Sequence, residues 1–115
     1  MKTILVVDDL RDLADSIALV LTTHGYEVQV AYDAEQALAC VAERCPDLVV
    51  LDLTMPVVSG YAVARRLRAS HGSIPYLVAH TAWDDDETKD RAAAARFDAH
   101  LRKPASVSEL ISAIE

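Results

Sequence analysis

Residues 46–60 constrain this chain most: Pro-Asp-Leu-Val-Val-Leu-Asp-Leu-Thr-Met-Pro-Val-Val-Ser-Gly. Pro46 ends any helix before it, because proline has no N–H to donate to the preceding turn. Residues 48–51 are an unbroken apolar run with two valines, as expected of a strand covered on both faces in a parallel sheet. That strand runs out on Asp52. Open α/β sheets place their ligands outside the carboxyl ends of their strands, so Asp52 is the first candidate for chemistry.

The same shape opens the chain, where residues 3–7 form a β-branched apolar run that delivers Asp8 and Asp9. If the two strands are parallel neighbours, the carboxylates of Asp8, Asp9 and Asp52 converge on one crevice. Like charges at such range disfavour one another's ionisation, and the cluster calls for a cation. An all-oxygen donor set with room for water suits Mg²⁺, whereas zinc prefers Cys and His.

The remaining chain alternates between two periodicities. Leu10, Leu13, Ala14, Ile17 and Leu21 recur at helical spacing up to His24-Gly25, and residues 27–32 then alternate around Val28 and Val30 as a strand nearer the sheet edge. Asp33 caps a second helix with the stripe Ala34, Ala37, Leu38 and Val41. Beyond Asp52, Met55-Pro56 breaks the chain and Ser59-Gly60 starts a third helix, with Val63, Ala64 and Leu67 inward and Arg65, Arg66 and Arg68 as a solvated face. Residues 74–80 read as a fourth strand ending in Thr81-Ala82. The acidic run 84–87 opens the next helix, where negative charge suits the dipole. Residues 98–102 form a fifth strand leading into Lys103-Pro104, and Val107, Leu110, Ile111 and Ile114 are the stripe of a last, short helix read as truncated. Repeated strand–helix alternation specifies an α/β fold: a parallel sheet with helices on both faces and right-handed crossovers.

With 115 residues the chain is read as one domain, 1–115, large enough to bury a core without staples. Its net charge of −7 argues against a surface that grips nucleic acid by its phosphates. Cys40 and Cys45 make no disulfide framework and are read as buried or inert thiols. No apolar run approaches the ~18 residues of a membrane span, and no signal peptide is evident, so the expected location is cytoplasmic.

Taken together, the strand ends supply Asp8, Asp9, Asp52, Thr81 and Lys103 to one edge of the sheet. A carboxylate nucleophile, a cation site, a hydroxyl and an ammonium are the parts that phosphoryl transfer to an aspartate needs. The motifs Asp8-Asp9, Asp52 with Met55-Pro56 and Gly60, Thr81-Ala82 and Lys103-Pro104 resemble, over nearly the whole chain, the receiver domain of the two-component response regulator family. The resemblance implies a flavodoxin-like, doubly wound sheet of five strands in the order 2-1-3-4-5. It also implies that Asp52 accepts a phosphoryl group from a histidine kinase or histidine phosphotransfer protein. By the same resemblance Mg²⁺ is bound by Asp9, Asp52 and the backbone carbonyl of Thr54, with Asp8 reached through water; Lys103 pairs with the modified carboxylate across a cis Lys103-Pro104 bond; and Thr81 and His100 switch a partner-binding surface whose downstream effector is unknown. The chain would be no enzyme beyond its own phosphoryl transfer and dephosphorylation.

The sequence departs from the family pattern at Val58-Ser59, Arg96-Phe97, His100 and Ala105, which touches the output surface rather than the acceptor. A haloacid-dehalogenase-type phosphatase would want a second acid where Thr54 stands, and a flavodoxin-like nucleotide carrier would want a phosphate loop where Asp8, Asp9 and Asp12 stand. The remaining alternative is an interaction module that keeps the fold without being phosphorylated. Trp83, the only tryptophan, lies two residues beyond Thr81 and is expected to flank the pocket.

Overall fold

The computed structural model describes residues 2–83 and 85–115. Its elements alternate throughout: β1 Thr3–Val7, α1 Arg11–Thr23, β2 Glu27–Ala31, α2 Ala34–Glu43, β3 Leu48–Asp52, α3 Gly60–His71, β4 Tyr76–Thr81, α4 Asp86–Ala94, β5 Ala99–Arg102 and α5 Val107–Ile114. The strands pair in parallel in the order β2-β1-β3-β4-β5. The order reverses at β1 and β3, so their carboxyl ends flank the crevice where such sheets bind ligands. Among the described residues no helix is long and apolar enough to cross a membrane.

Strand burial follows position in the sheet. All of β3 is buried, while edge strand β2 alternates between exposed and half-buried positions before Ala31. Because successive residues point to opposite faces, β3 feeds two cores: Val49 and Leu51 pack with α2, α3 and α4, and Leu48 and Val50 pack with α1 and α5. The starts of α2 and α3 are fixed by side chains accepting orphan N–H groups: Asp33 from Gln36 at 2.8 Å, and Ser59 from Ala62 at 3.3 Å. Ser106 and Glu109 form a reciprocal capping box on α5. Asp84, part of the acidic run expected to open α4, lies outside the described residues; Asp85 is the N-cap residue.

Several expectations are corrected. Leu10 is exposed, because it precedes α1 with an extended backbone (φ −83°, ψ 98°) and the helical period does not reach it. Val107 is also exposed, one turn short of Leu110, the first residue of α5 to be buried. Cys40 is half-buried, but Cys45, just beyond α2, is exposed. The largest correction is Arg68, which is 6% exposed while Arg65 and Arg66 face water. Its guanidinium donates to the carbonyls of Arg96 (2.9 Å), Gly72 (3.1 Å) and Pro75 (2.7 Å) and to Asp98 Oδ2 (2.6 Å). Asp98 Oδ2 also takes the Leu77 N–H at 2.8 Å, so one planar cation ties the end of α3 to the starts of β4 and β5.

The turn that Arg68 grips contains Arg96 at φ 66°, a left-handed conformation that crowds a Cβ. Arg96 contributes its carbonyl to the clamp, which any residue supplies. Arg96→Gly should therefore raise stability by about 0.5–1 kcal/mol, read as a higher urea midpoint at unchanged slope. A midpoint equal to or below wild type would mean that the Arg96 side chain is itself needed.

Candidate functional site

The carboxyl ends of β1 and β3 bring together the acids expected there. One carboxylate oxygen from each of Asp8, Asp9 and Asp52 lies within 4.8 Å of the others. Asp8 is 1% and Asp52 2% exposed, so the negative charge is concentrated away from water. Asp8 Oδ1 accepts the Leu10 N–H at 3.0 Å, while Asp8 Oδ2 is buried and left to an ion pair. Asp52 Oδ1 accepts the Thr54 N–H at 3.2 Å. Thr54 itself is exposed at the mouth.

Lys103 and Thr81 arrive from the other side. The Lys103 ammonium stands 2.7 Å from Asp8 Oδ2 and 3.3 Å from Asp52 Oδ1, closer to Asp8 than to the acceptor candidate. Thr81 is fully buried at the end of β4 and its Oγ1 takes the Trp83 N–H at 3.3 Å. The Trp83 carbonyl accepts from His100 Nε2 at 3.1 Å, which assigns the ring proton to Nε2; Nδ1 is buried without a partner among the described residues. The backbone of Trp83 thus links Thr81 to His100. Its indole is 61% exposed and lines a cleft with Thr54, Tyr61, Thr81, Thr88 and Arg91, whose guanidinium lies 4.1 Å from the Tyr61 ring centroid.

Burial pushes the Asp52 carboxyl up to about 6, and the negative charge of Asp8 adds to that rise; Lys103 and the Thr54 N–H oppose it. Its neighbour in register on β4, His80, is pushed down to about 4, first by burial and then by the Lys103 charge. His80 is legible in the sequence only as a strand residue, yet it is 2% exposed. The one signal that marks it is a titratable residue in an otherwise apolar run.

Gly60 explains how β3 and α3 meet. Its N–H donates to Leu53 O at 3.1 Å, and a Cβ there would overlap the Asp52 carbonyl oxygen and lie 2.9 Å from Leu53 Cα. Only a residue without a side chain allows the start of α3 to sit on the backbone that carries Asp52. Between them Val57 has φ 69°, with the Val58 N–H returning to Pro56 O at 2.8 Å in a γ-turn. A β-branched residue there is strained, and the strain lies in the loop directly behind Asp52.

The sequence matches the family described as the response regulator receiver domain over residues 4–115. The chain belongs to that family. Response regulator MprA from Mycobacterium sp. (strain KMS) is 39% identical to this receiver domain over 109 residues, covering 95% of this chain and 47% of that protein. The chain therefore spans about half the length of the curated relatives it matches. Among solved structures, the Vibrio cholerae chemotaxis protein CheY4 superposes with a TM-score of 0.93 at 27% identity, covering 99% of this chain and 96% of that one. Response regulator DrrB, described as a Thermotoga maritima OmpR/PhoB homologue, has a TM-score of 0.87 at 27% identity, covering 97% of this chain and 50% of its own. The receiver fold and its membership of two-component signalling are thereby established.

Proposed function

We propose that this receiver domain, residues 1–115, takes a phosphoryl group onto Asp52 from a histidine kinase or histidine phosphotransfer protein in the cytoplasm. The observation that carries this reading is the placement of a buried carboxylate at the end of β3, 3.3 Å from the Lys103 ammonium and within a three-carboxylate cluster. A receiver-like module without phosphorylation would have no reason to keep all of these groups in register.

The acidic cluster fits a hard divalent cation: it offers only oxygen donors, and one oxygen from each of its three carboxylates lies within 4.8 Å of the others with a single ammonium to offset them. Mg²⁺ would be held by Asp9, Asp52 and the Thr54 carbonyl, with Asp8 through water, and when bound it supplies positive charge beside the transferring group. The chain's own residues do the rest. Asp52 Oδ attacks phosphorus as the donor's P–N bond breaks, the electron pair passing to the imidazole nitrogen, which takes up a proton. Lys103, already between Asp8 and Asp52, follows the charge onto the new acyl phosphate. Thr81 Oγ1 accepts from Trp83 and keeps its own proton to donate to a phosphoryl oxygen.

A Thr81 hydroxyl drawn toward that oxygen releases the Trp83 N–H, and the Trp83 carbonyl carries the change to His100 and to the surface of α4, β5 and α5. That surface is the one proposed to change its affinity for a downstream partner, here unidentified.

Trp83 offers an optical test. Because it is the only tryptophan and lines the cleft beside Thr54 and Thr81, its fluorescence should change on adding Mg²⁺ and again on adding acetyl phosphate. A Trp83 signal indifferent to both additions would contradict the proposed coupling. A Trp83→Ala protein should also lose its acyl phosphate faster, since less bulk then covers the path of water; an unchanged lifetime would remove that shielding role.

A further inference from the structure

The phosphoacceptor reading leaves His80 without a task, although a polar ring buried at 2% exposure needs a compensating partner. His80 lies on β4 in register with Asp52 on β3. Its Nε2 accepts the Ala105 N–H at 3.4 Å. An amide N–H only donates, so Nε2 is the unprotonated nitrogen and Nδ1 carries the proton. Ala105 is the first residue after Lys103 with an N–H to give, because Pro104 has none. On the other side, the N–H of Lys103 itself donates to Thr81 O at 2.7 Å. The turn that roots Lys103 is thus bound to β4 before and after the lysine, once by a backbone carbonyl and once by an imidazole. The following Ser106 N–H goes to Glu109 within the α5 cap and adds no tether to the sheet.

We propose that His80 is a positioning residue, whose Nε2 holds the Lys103 turn on β4 and so sets where the ammonium stands between Asp8 Oδ2 and Asp52 Oδ1. Its consequence for transfer rests on the phosphoacceptor reading. A lysine ammonium rides on a long flexible stem, so the root of that stem decides which oxygens it can reach. An apolar side chain at position 80 would fill similar space but leave the Ala105 N–H without its acceptor. The turn would then shift toward water and carry the Lys103 backbone with it.

The test uses NMR of the unphosphorylated protein beside phosphorylation kinetics, in wild type, His80→Leu and His80→Gln. In His80→Leu the Ala105 amide and the Lys103 Nζ resonances should both move. The maximal rate of uptake from acetyl phosphate at saturating Mg²⁺ should fall about five- to tenfold, with the Mg²⁺ affinity little changed. His80→Gln, which restores an acceptor, should return the resonances and bring the rate to within about twofold of wild type. A Lys103 signal and a rate that stay at wild-type values while the Ala105 amide moves would overturn the proposal. So would ¹⁵N shifts showing His80 in wild type as the Nε2–H tautomer, a measurement that needs no variant to fold. A wild type that takes up no phosphoryl group would defeat the acceptor reading instead, and the two resonances would still decide the part of His80.

Discussion

Asp52→Asn should take up no phosphoryl group from acetyl phosphate and Mg²⁺, and it should be more stable than wild type at neutral pH when no metal is present. The first effect follows because an amide cannot supply the attacking oxyanion. The second follows from linkage. Asp52 is held at about 6 in the folded protein, against an ordinary value of 3.8. Between those two values the folded state binds more protons than the unfolded one, so stability falls as pH rises through the window. Above about pH 6 the full cost of the buried charge is present, on the order of 1–3 kcal/mol; it fades as pH falls toward 4. Asparagine is spared that cost. The gain in Asp52→Asn should therefore be largest at pH 7–8 and nearly absent near pH 4, and Mg²⁺ should narrow it by stabilising wild type alone. A stability difference independent of pH would show that Asp52 is not the strained ionisable group described here.

Gly60→Ala should be the most damaging single methyl in the chain. The added Cβ would meet the Asp52 carbonyl and Leu53 Cα, and both are backbone atoms of a central strand that cannot swing aside. Either α3 withdraws or the end of β3 twists, at a cost of about 3 kcal/mol or more and a fall in thermal midpoint of roughly 10 °C. The fraction that folds carries Asp52 displaced against Lys103 and the other acids. A misplacement on the scale of 1 Å is enough to slow uptake on the order of a hundredfold. An alanine variant as stable and as fast as wild type would mean that the close approach of α3 to Asp52 does not exist in solution.

The contrast between these positions shows what the sequence could reveal. Asp52 was legible because its strand is apolar on both faces, and a carboxylate following such a run has few places to be other than a sheet edge. The same reasoning found Asp8, Asp9, Thr81 and Lys103, and the structure does bring all of them to one edge. Gly60 was legible as a helix start, but the reason it must be glycine lies in a contact with a residue eight positions earlier, which periodicity cannot express. Arg68 was misplaced for a related cause. It sits beside Leu67 at the end of a helical stripe, and it is buried only because the carbonyls of Gly72, Pro75 and Arg96 converge on it from two loops. Helix pattern carries information about one neighbour surface, not about carbonyls delivered by loops. His80 escaped notice because a residue inside a strand is read for its face rather than for its partner, and its partner is an N–H in a turn that the chain reaches 25 residues later.

The claim on which the rest depends is that Asp52 is the acceptor. Wild-type protein incubated with acetyl phosphate and Mg²⁺, then reduced with borohydride to convert an acyl phosphate to homoserine and mapped by peptide mass spectrometry, tests it directly. One phosphoryl group per chain is expected by intact mass before reduction, absent when the metal is chelated before the reaction, with homoserine at position 52 alone. No mass gain, or homoserine at Asp8 or Asp9 with Asp52 unmodified, would contradict it.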